Sequence, residues 1–495
     1  MQKVANERGK WMALIAALLG WLFDGFEMGL FPLVARPALA DLLREAGQTA
    51  DDPAISFWMS IATSAFLIGA AAGGVVFGWL GDRIGRVRAM TLSILTYAIF
   101  SGLGGFAAAP WHMVVTRFFA SLGMGGEWSL GVALVMEVWG GRSRALLAGL
   151  IGAAANFGYM FVAVLSLGLG SVRASLAAMD LPPQWIEWRL LTVCGALPAL
   201  LTFFIRLAVP ESDRWEKEKE RGATSSWAGR DLLAVLGGVV ICALLLGVWL
   251  SAENYPLRLG ATFFALVLVA GCFLVPIFGY LRRANEPEQV RRDIVRRMLL
   301  GALISGIPLL ATWGAVLWAP AWAHQLAEKA VEIDPTLEDS TRHWKDYTLL
   351  TSSIGAIVGS FGGALLAGWI GRRIAYIILC LTSLVAVYAF YTQNTTFDLS
   401  FIVMAFFAGA TSAAFYGWLP LYLPELFPTR VRATGQGFAF NFGRILAAVG
   451  VLQVPTLMGN PPNYATACSQ LAFIYVAGIA AIWLVPETMG KPLPE

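Results

Sequence analysis

The stretch Gly78-Trp79-Leu80-Gly81-Asp82-Arg83-Ile84-Gly85-Arg86-Val87-Arg88 sets one aspartate and three arginines between two long apolar runs. So compact a polar island reads as a very tight turn between two membrane spans. Glycine lets the chain turn sharply where the helix ends meet, and arginines beside an apolar run stay in the aqueous phase on the cytoplasmic side. The rest of the chain should then be a bundle of spans.

Composition agrees. Of the 495 residues, 58% are hydrophobic and 14% charged, with a mean hydropathy of +0.67, against about 25% charged residues in soluble proteins. This points to an all-α integral membrane protein. The net charge of +3 is too small to imply nucleic-acid binding. Cys194, Cys242, Cys272, Cys380 and Cys468 stand singly in apolar runs, so packing is expected of them, with no metal or disulfide role. Lys3, Arg8 and Lys10 precede an apolar run too long for a signal peptide, which reads as an uncleaved first span.

Segments of about 20 apolar residues can cross a hydrocarbon core of roughly 30 Å. They fall near 11–34, 57–80, 88–109, 112–139, 145–170, 187–209, 231–251, 257–281, 298–322, 347–370, 374–392, 399–424, 433–458 and 465–485, fourteen in all. An even number puts both termini on one side. With that side cytoplasmic, the turn at Asp82 to Arg88, Arg142 and Arg144, the runs 214–230 and 282–297, Arg372 and Arg373, and Arg430 and Arg432 all lie inside. The expected address is the plasma or inner membrane, crossed many times.

An internal repeat organises the spans. Glu137-Val-Trp-Gly-Gly-Arg142-Ser-Arg144-Ala145 recurs 288 residues on as Glu425-Leu-Phe-Pro-Thr-Arg430-Val-Arg432-Ala433. The opening stretch has a weaker echo, Leu366-Ala-Gly368-Trp-Ile370-Gly371-Arg372. Two parallel six-span halves follow, a known transporter plan with the site between them. They divide the chain into a first bundle over 1–209, a linker over 210–297 holding two extra spans (231–251 and 257–281), and a second bundle over 298–495.

The Gly-Asp-Arg-x-Gly-Arg turn resembles the major facilitator superfamily, and three further runs strengthen the likeness. They are Arg117-Phe-Phe-Ala-Ser-Leu-Gly-Met-Gly-Gly-Glu127-Trp, Val209-Pro-Glu-Ser-Asp-Arg-Trp215 and Pro424-Glu-Leu-Phe-Pro-Thr-Arg-Val-Arg-Ala-Thr-Gly435. Within it, Asp24-Gly-Phe-Glu27 and the extra central spans are similar to the sialate:proton branch and neighbouring carboxylate and aromatic-acid symporters. The tail Pro486-Glu-Thr-Met-Gly-Lys491 resembles sugar porters. The resemblance implies an alternating-access carrier, not an enzyme.

Ionisable groups deep in a bilayer are costly, so each is a functional candidate. Asp24 lies about 20 Å into the first span, with Glu27 one turn on along nearly the same face. Burial and mutual repulsion suit such a pair to proton exchange. Arg444 lies about 17 Å into its span, and the repeat sets Asn156 opposite it. A planar guanidinium matches a carboxylate, so Arg444 is the expected anion anchor, with Asn441 as a hydrogen-bonding neighbour, or else a structural partner of Asp24, Glu27 or Glu127. Glu127, mid-span among glycines, reads as a proton carrier or a brace. Arg117 matches a family arginine that the resemblance links to coupling, and snorkelling explains it too. Trp313 and Tyr416 are candidate substrate walls or ordinary packing. Asp82, Arg83, Arg86, Glu137, Arg144, Glu425 and Arg432 form a candidate inner gate, in which Asp82 meets the positive end of a helix in the other half. Because Gly368 stands where the echo would need an aspartate, Asp82 is expected to be irreplaceable and the turn at 366–373 tolerant of change.

The expected function is symport of a small organic anion with a proton, by a monomer in the lipid bilayer, with no cofactor and no metal. A sugar or polyol:proton symporter is the first alternative, although 307–320 contain no Gln or Asn. A receptor-like homologue that does not transport is the second.

Overall fold

The structure, a computed structural model, describes residues 7–50, 52–139, 143–177, 188–198, 201, 204–205, 209–251, 254–458 and 463–494. Its longer helices in the first half are α1 (Glu7–Glu45), α2 (Asp52–Ile84), α3 (Arg86–Leu103), α4 (Pro110–Val138) and α5 (Ser143–Ala177). A polar helix α6 (Asp213–Glu220) leads to the central pair α7 (Leu232–Ser251) and α8 (Tyr255–Arg283). The second half comprises α9 (Glu288–Gly314), α10 (Ala319–Ile333), α11 (Trp344–Ile370), α12 (Arg372–Gln393), α13 (Leu399–Tyr422), α14 (Arg432–Asn441), α15 (Gly443–Leu457), α16 (Tyr464–Leu471) and α17 (Ile474–Ala481).

The opening stretch is indeed a tight turn, one residue long. Helix α2 ends at Ile84, α3 starts at Arg86, and Gly85 between them has φ of 114°, which a side chain would strain. Its echo Gly371, at φ 95°, joins α11 to α12 in the same way. One part of the reading needs correction: Arg86 is fully buried rather than left in water.

Twelve helices among the described residues are long and apolar enough to cross a membrane, against the fourteen expected. Across 433–458 the helical bonding tightens at one step, Ile445 N to Phe442 O (3.1 Å), which separates α14 from α15, while Phe442 itself keeps helical dihedrals (φ −59°, ψ −33°). Residues 187, 199–200, 202–203 and 206–208 of the span expected over 187–209, and Arg142, lie outside the described residues. The central pair is present; α7 and α8 pack on each other, and α7 also on α2. Their outer faces carry Leu233, Leu244 and Phe263, each at least two-thirds exposed, as lipid-facing helices require.

The halves meet along two seams. Helix α5 packs against α11 and α13, and α2 against α14 and α15. The space they enclose holds the candidate site.

Candidate functional site

Although Asp24 and Glu27 are one turn apart on α1, they open onto different spaces. Glu27 forms an ion pair with Arg117 of α4 and accepts a hydrogen bond from Ser101 Oγ at 3.3 Å. The Arg117 guanidinium lies 4.0 Å from the Phe31 ring and 4.6 Å from Phe66, and with Glu27 it lines a small pocket within the first half. A salt bridge so enclosed satisfies both charges locally.

Asp24 instead faces a central cavity of about 140 Å³ between the halves. Its carboxylate interacts more strongly with Glu127 of α4 than with Glu27, the partner expected from sequence, which Arg117 holds. Both Glu127 oxygens are buried without a hydrogen-bond partner among the described residues. Glu127 reaches this position because residue 20 has no side chain: a Cβ on Gly20 would fall 1.6 Å from Glu127 Oε1.

Across the cavity stands Arg444 of α15. Only 6% exposed, it has no hydrogen bond at Nε or Nη1 and no ion pair among the described residues. Its guanidinium carbon is 5.4 Å from the Phe440 ring centre. Asn156, Trp313 and Tyr416 share the wall with it, as does Tyr159, which the sequence did not single out. Asn156 donates to its own helix at Gly152 O (3.0 Å). Ser352, Ser353, Ser412 and Thr312 complete the polar lining.

Asn441 is not in the cavity. It is fully buried at the crossing of α14 with α4, donating to Gly125 O and Gly437 O, both at 3.0 Å, so it braces the seam rather than a ligand. Between that seam and the cavity lies an aromatic floor. Trp128 stacks on Phe440 of the other half at 3.7 Å and 8°, and on Trp21 at 6.1 Å and 11°.

Below the floor, towards the basic turns, the halves are tied by charge. Asp82 accepts from Thr434 N (2.8 Å), Thr434 Oγ1 (2.7 Å) and Ala433 N (3.3 Å), the first turn of α14. A carboxylate here meets both the unpaired amides and the positive end of the helix dipole. Arg86 donates to Asp82 Oδ1 (2.7 Å), Glu137 Oε1 (3.2 Å) and, across the seam, Thr429 O (2.7 Å). Arg432 reaches back to Glu137 Oε1 at 2.8 Å.

The two halves are not equivalent here. Arg372, the counterpart of Arg86, binds Glu425 at 2.7 and 3.1 Å within the second half. Arg144, the counterpart of Arg432, donates only to Trp139 O (3.4 Å) and pairs with no carboxylate among the described residues. Arg83 also stays out of the network; it is exposed, with its guanidinium carbon 4.9 Å from the Trp79 ring. Within 366–373, where tolerance of change was expected, Arg372 is buried and doubly bonded to Glu425.

Sequence reading missed a pair of clasps. Glu211 accepts from Arg86 N (2.8 Å) and Val87 N (3.1 Å), as Glu487 does from Arg372 N (3.1 Å) and Arg373 N (3.0 Å). Ser212 and Thr488 beside them bond Glu137 and Glu425. The signal was there in Pro210-Glu211-Ser212 and Pro486-Glu487-Thr488, at a shift of 276 rather than 288. Burial pushes the Glu211 carboxyl above its ordinary range even though backbone amides oppose it. Burial acts the same way on Glu487, but the amides of Arg373, Met489, Arg372 and Thr488 outweigh it and hold that carboxyl low.

Known proteins resemble the chain throughout. The family described as sugar (and other) transporter matches residues 12–232 and 379–495. A Haemophilus influenzae protein named for metabolite transport is 26% identical over the full length of both chains. A Cupriavidus pinatubonensis protein named for 4-methylmuconolactone transport is 26% identical, with 96% of this chain and 90% of that one aligned. In fold the chain resembles the proton:xylose symporter XylE bound to 6-bromo-6-deoxy-D-glucose, with a TM-score of 0.66, 18% identity, and 99% and 98% of the two chains covered.

Proposed function

The chain belongs to the sugar (and other) transporter family of the major facilitator superfamily, and we propose that it is a secondary carrier moving a small organic anion together with a proton. It is a multi-pass membrane transporter, not an enzyme. The observation that carries the anion is Arg444: a buried guanidinium with two unpartnered nitrogens on the wall of the central cavity. A buried charge left unpaired is expensive, and a bound carboxylate removes that cost through a planar, two-point contact.

Asp24 and Glu127 carry the transported proton in this reading. Two carboxylates that interact inside the bilayer resist simultaneous ionisation, so the pair holds a proton until Arg444 or water draws near. Glu27 and Arg117 act together as a second charge pair on α1 and α4. The basic turns face the cytoplasm by the positive-inside rule. The Asp82, Arg86, Glu137 and Arg432 network is the inner gate, shut in this structure and opened by parting α2 and α4 from α14. The named substrate of the Cupriavidus relative, an organic lactone, fits a carrier of metabolite acids.

Sugar:proton symport is the second reading, favoured by the hydroxyls of Thr312, Ser352, Ser353 and Ser412 in the cavity. Purified protein in liposomes with an imposed pH gradient separates the two, offered lactate, sialate, aromatic acids, nicotinate, inorganic phosphate and hexoses. Gradient-driven accumulation of an organic acid is expected; accumulation of hexose and no acid would overturn the anion reading.

A further inference from the structure

An open groove of about 570 Å³ lies on the basic side, where the end of α8 meets the start of α9, well away from the central cavity. Its polar wall is Arg291, Arg292 and Arg296; its apolar wall is Phe278, Val295, Leu299 and Leu300. On α9 these residues recur at intervals of three and four, so they form one face. Along that face the chemistry changes in one direction. The arginines fill the first turns, and the uninterrupted apolar run begins at Met298, about 3 Å further along the axis from Arg296. Leu299 and Leu303 continue the face at 43% and 40% exposure, and Phe278 opposes them at 43%.

The wall holds three guanidinium groups against one carboxylate, Glu288, which pairs with Arg292. Arg291 has no hydrogen-bond partner at its buried Nε among the described residues. Arginine stems also cover apolar surface while their heads stay at the interface. A cationic rim continuous with an exposed apolar channel complements an amphiphile with a negative head and an acyl tail. A small free anion has no use for the apolar half, and a zwitterionic headgroup leaves the arginines uncompensated.

We propose that this groove binds one anionic phospholipid, its phosphodiester against Arg291, Arg292 and Arg296 and an acyl chain along Phe278 and Leu299. Basic pockets between spans on the cytoplasmic side suit such headgroups. The site also sits next to the charged network between the halves. Two residues beyond Ala284, Glu286 pairs with Arg430 at 2.9 Å, and Arg297 donates to Leu426 O at 3.0 Å. Both contacts hold the segment that runs into the first turn of α14, so an occupied groove stiffens the turn on which Asp82 closes.

The test is native mass spectrometry of the full-length detergent-purified protein titrated with phosphatidylglycerol or phosphatidylcholine. The expected result is one retained phosphatidylglycerol, preferred over phosphatidylcholine by about tenfold or more. The triple variant Arg291→Gln, Arg292→Gln, Arg296→Gln should lose that preference. Glu288→Gln, which removes the competing carboxylate, should strengthen retention, a gain that misfolding cannot mimic. An unchanged preference in the triple variant overturns the site. So does weaker retention in Glu288→Gln, or displacement of the lipid by millimolar inorganic phosphate, which would make the groove a phosphate site.

Discussion

Asp82 of the first half and Thr434 of the second are joined by two hydrogen bonds to one carboxylate oxygen, from the amide at 2.8 Å and the hydroxyl at 2.7 Å. Among the described residues, it is the point where a side chain of one half caps a helix of the other. Charge matters here as much as shape, because an amide side chain presents one acceptor and loses the attraction to the helix dipole, worth about 0.5–2 kcal/mol at a cap. Asp82→Asn should therefore fold and reach the membrane yet transport at least tenfold more slowly. Normal uptake by this variant would remove Asp82 from the gate.

Arg444 is predicted to set substrate charge. Arg444→Ala should abolish acid uptake, and Arg444→Lys should retain little, since an ammonium lacks the planar fork. Substrate-induced thermal stabilisation, measured alongside uptake, reports binding directly. An alanine variant still stabilised by the acid would place the anion elsewhere.

The close approach of Glu127 to α1 depends on Gly20. A Cβ at this position would lie 1.6 Å from Glu127 Oε1, so the carboxylate must swing away from α1. Gly20→Ala is expected to uncouple transport: substrate exchange continues while accumulation driven by a pH gradient falls about tenfold or more. Equal losses of exchange and accumulation would instead mark Gly20 as a packing position.

The Trp128–Phe440 stack crosses the seam at 3.7 Å. Truncating a buried aromatic costs about 3–5 kcal/mol, here spent on contacts between the halves. Phe440→Ala should shift the protein towards the state open on the basic side, read as faster labelling by a membrane-impermeant thiol reagent of cysteines placed in the cavity from that side. Slower labelling would contradict the stack's role as a floor.

Glu487 should make the C-terminal clasp sensitive to acid. Its carboxyl is held below the ordinary range in the fold, so the stability it contributes is present at neutral pH. That contribution is lost as pH falls through the lowered folded value. Glu487→Gln should flatten the acid limb of a thermal-stability profile taken between about pH 6 and 3. A profile of unchanged steepness would show that the clasp is not titrating.

Much of this was legible in the chain. The one-residue turn at Gly85, its echo at Gly371, the repeat of Glu137 and Arg144 in Glu425 and Arg432, and the isolated buried charges are local patterns, and local backbone rules decide them. The partner of each charge was not legible. Asp24 and Glu27 are a turn apart and look like a pair, but Arg117 takes Glu27, and a missing Cβ at Gly20 brings Glu127 up against α1. Asn441 and Arg444 are also neighbours on paper, yet the chain turns one into the seam and the other into the cavity.

Sequence alone determined that this is a helical membrane transporter with several charges set deep in its spans. Period, length and hydropathy act along the chain, and the bilayer's demand for satisfied backbone groups leaves helices few alternatives. Only the tertiary structure decided which charges neutralise one another and which stay free for a ligand. That depends on packing between segments hundreds of residues apart, such as Asp82 on Thr434, where a displacement of about 1 Å separates a hydrogen bond from none.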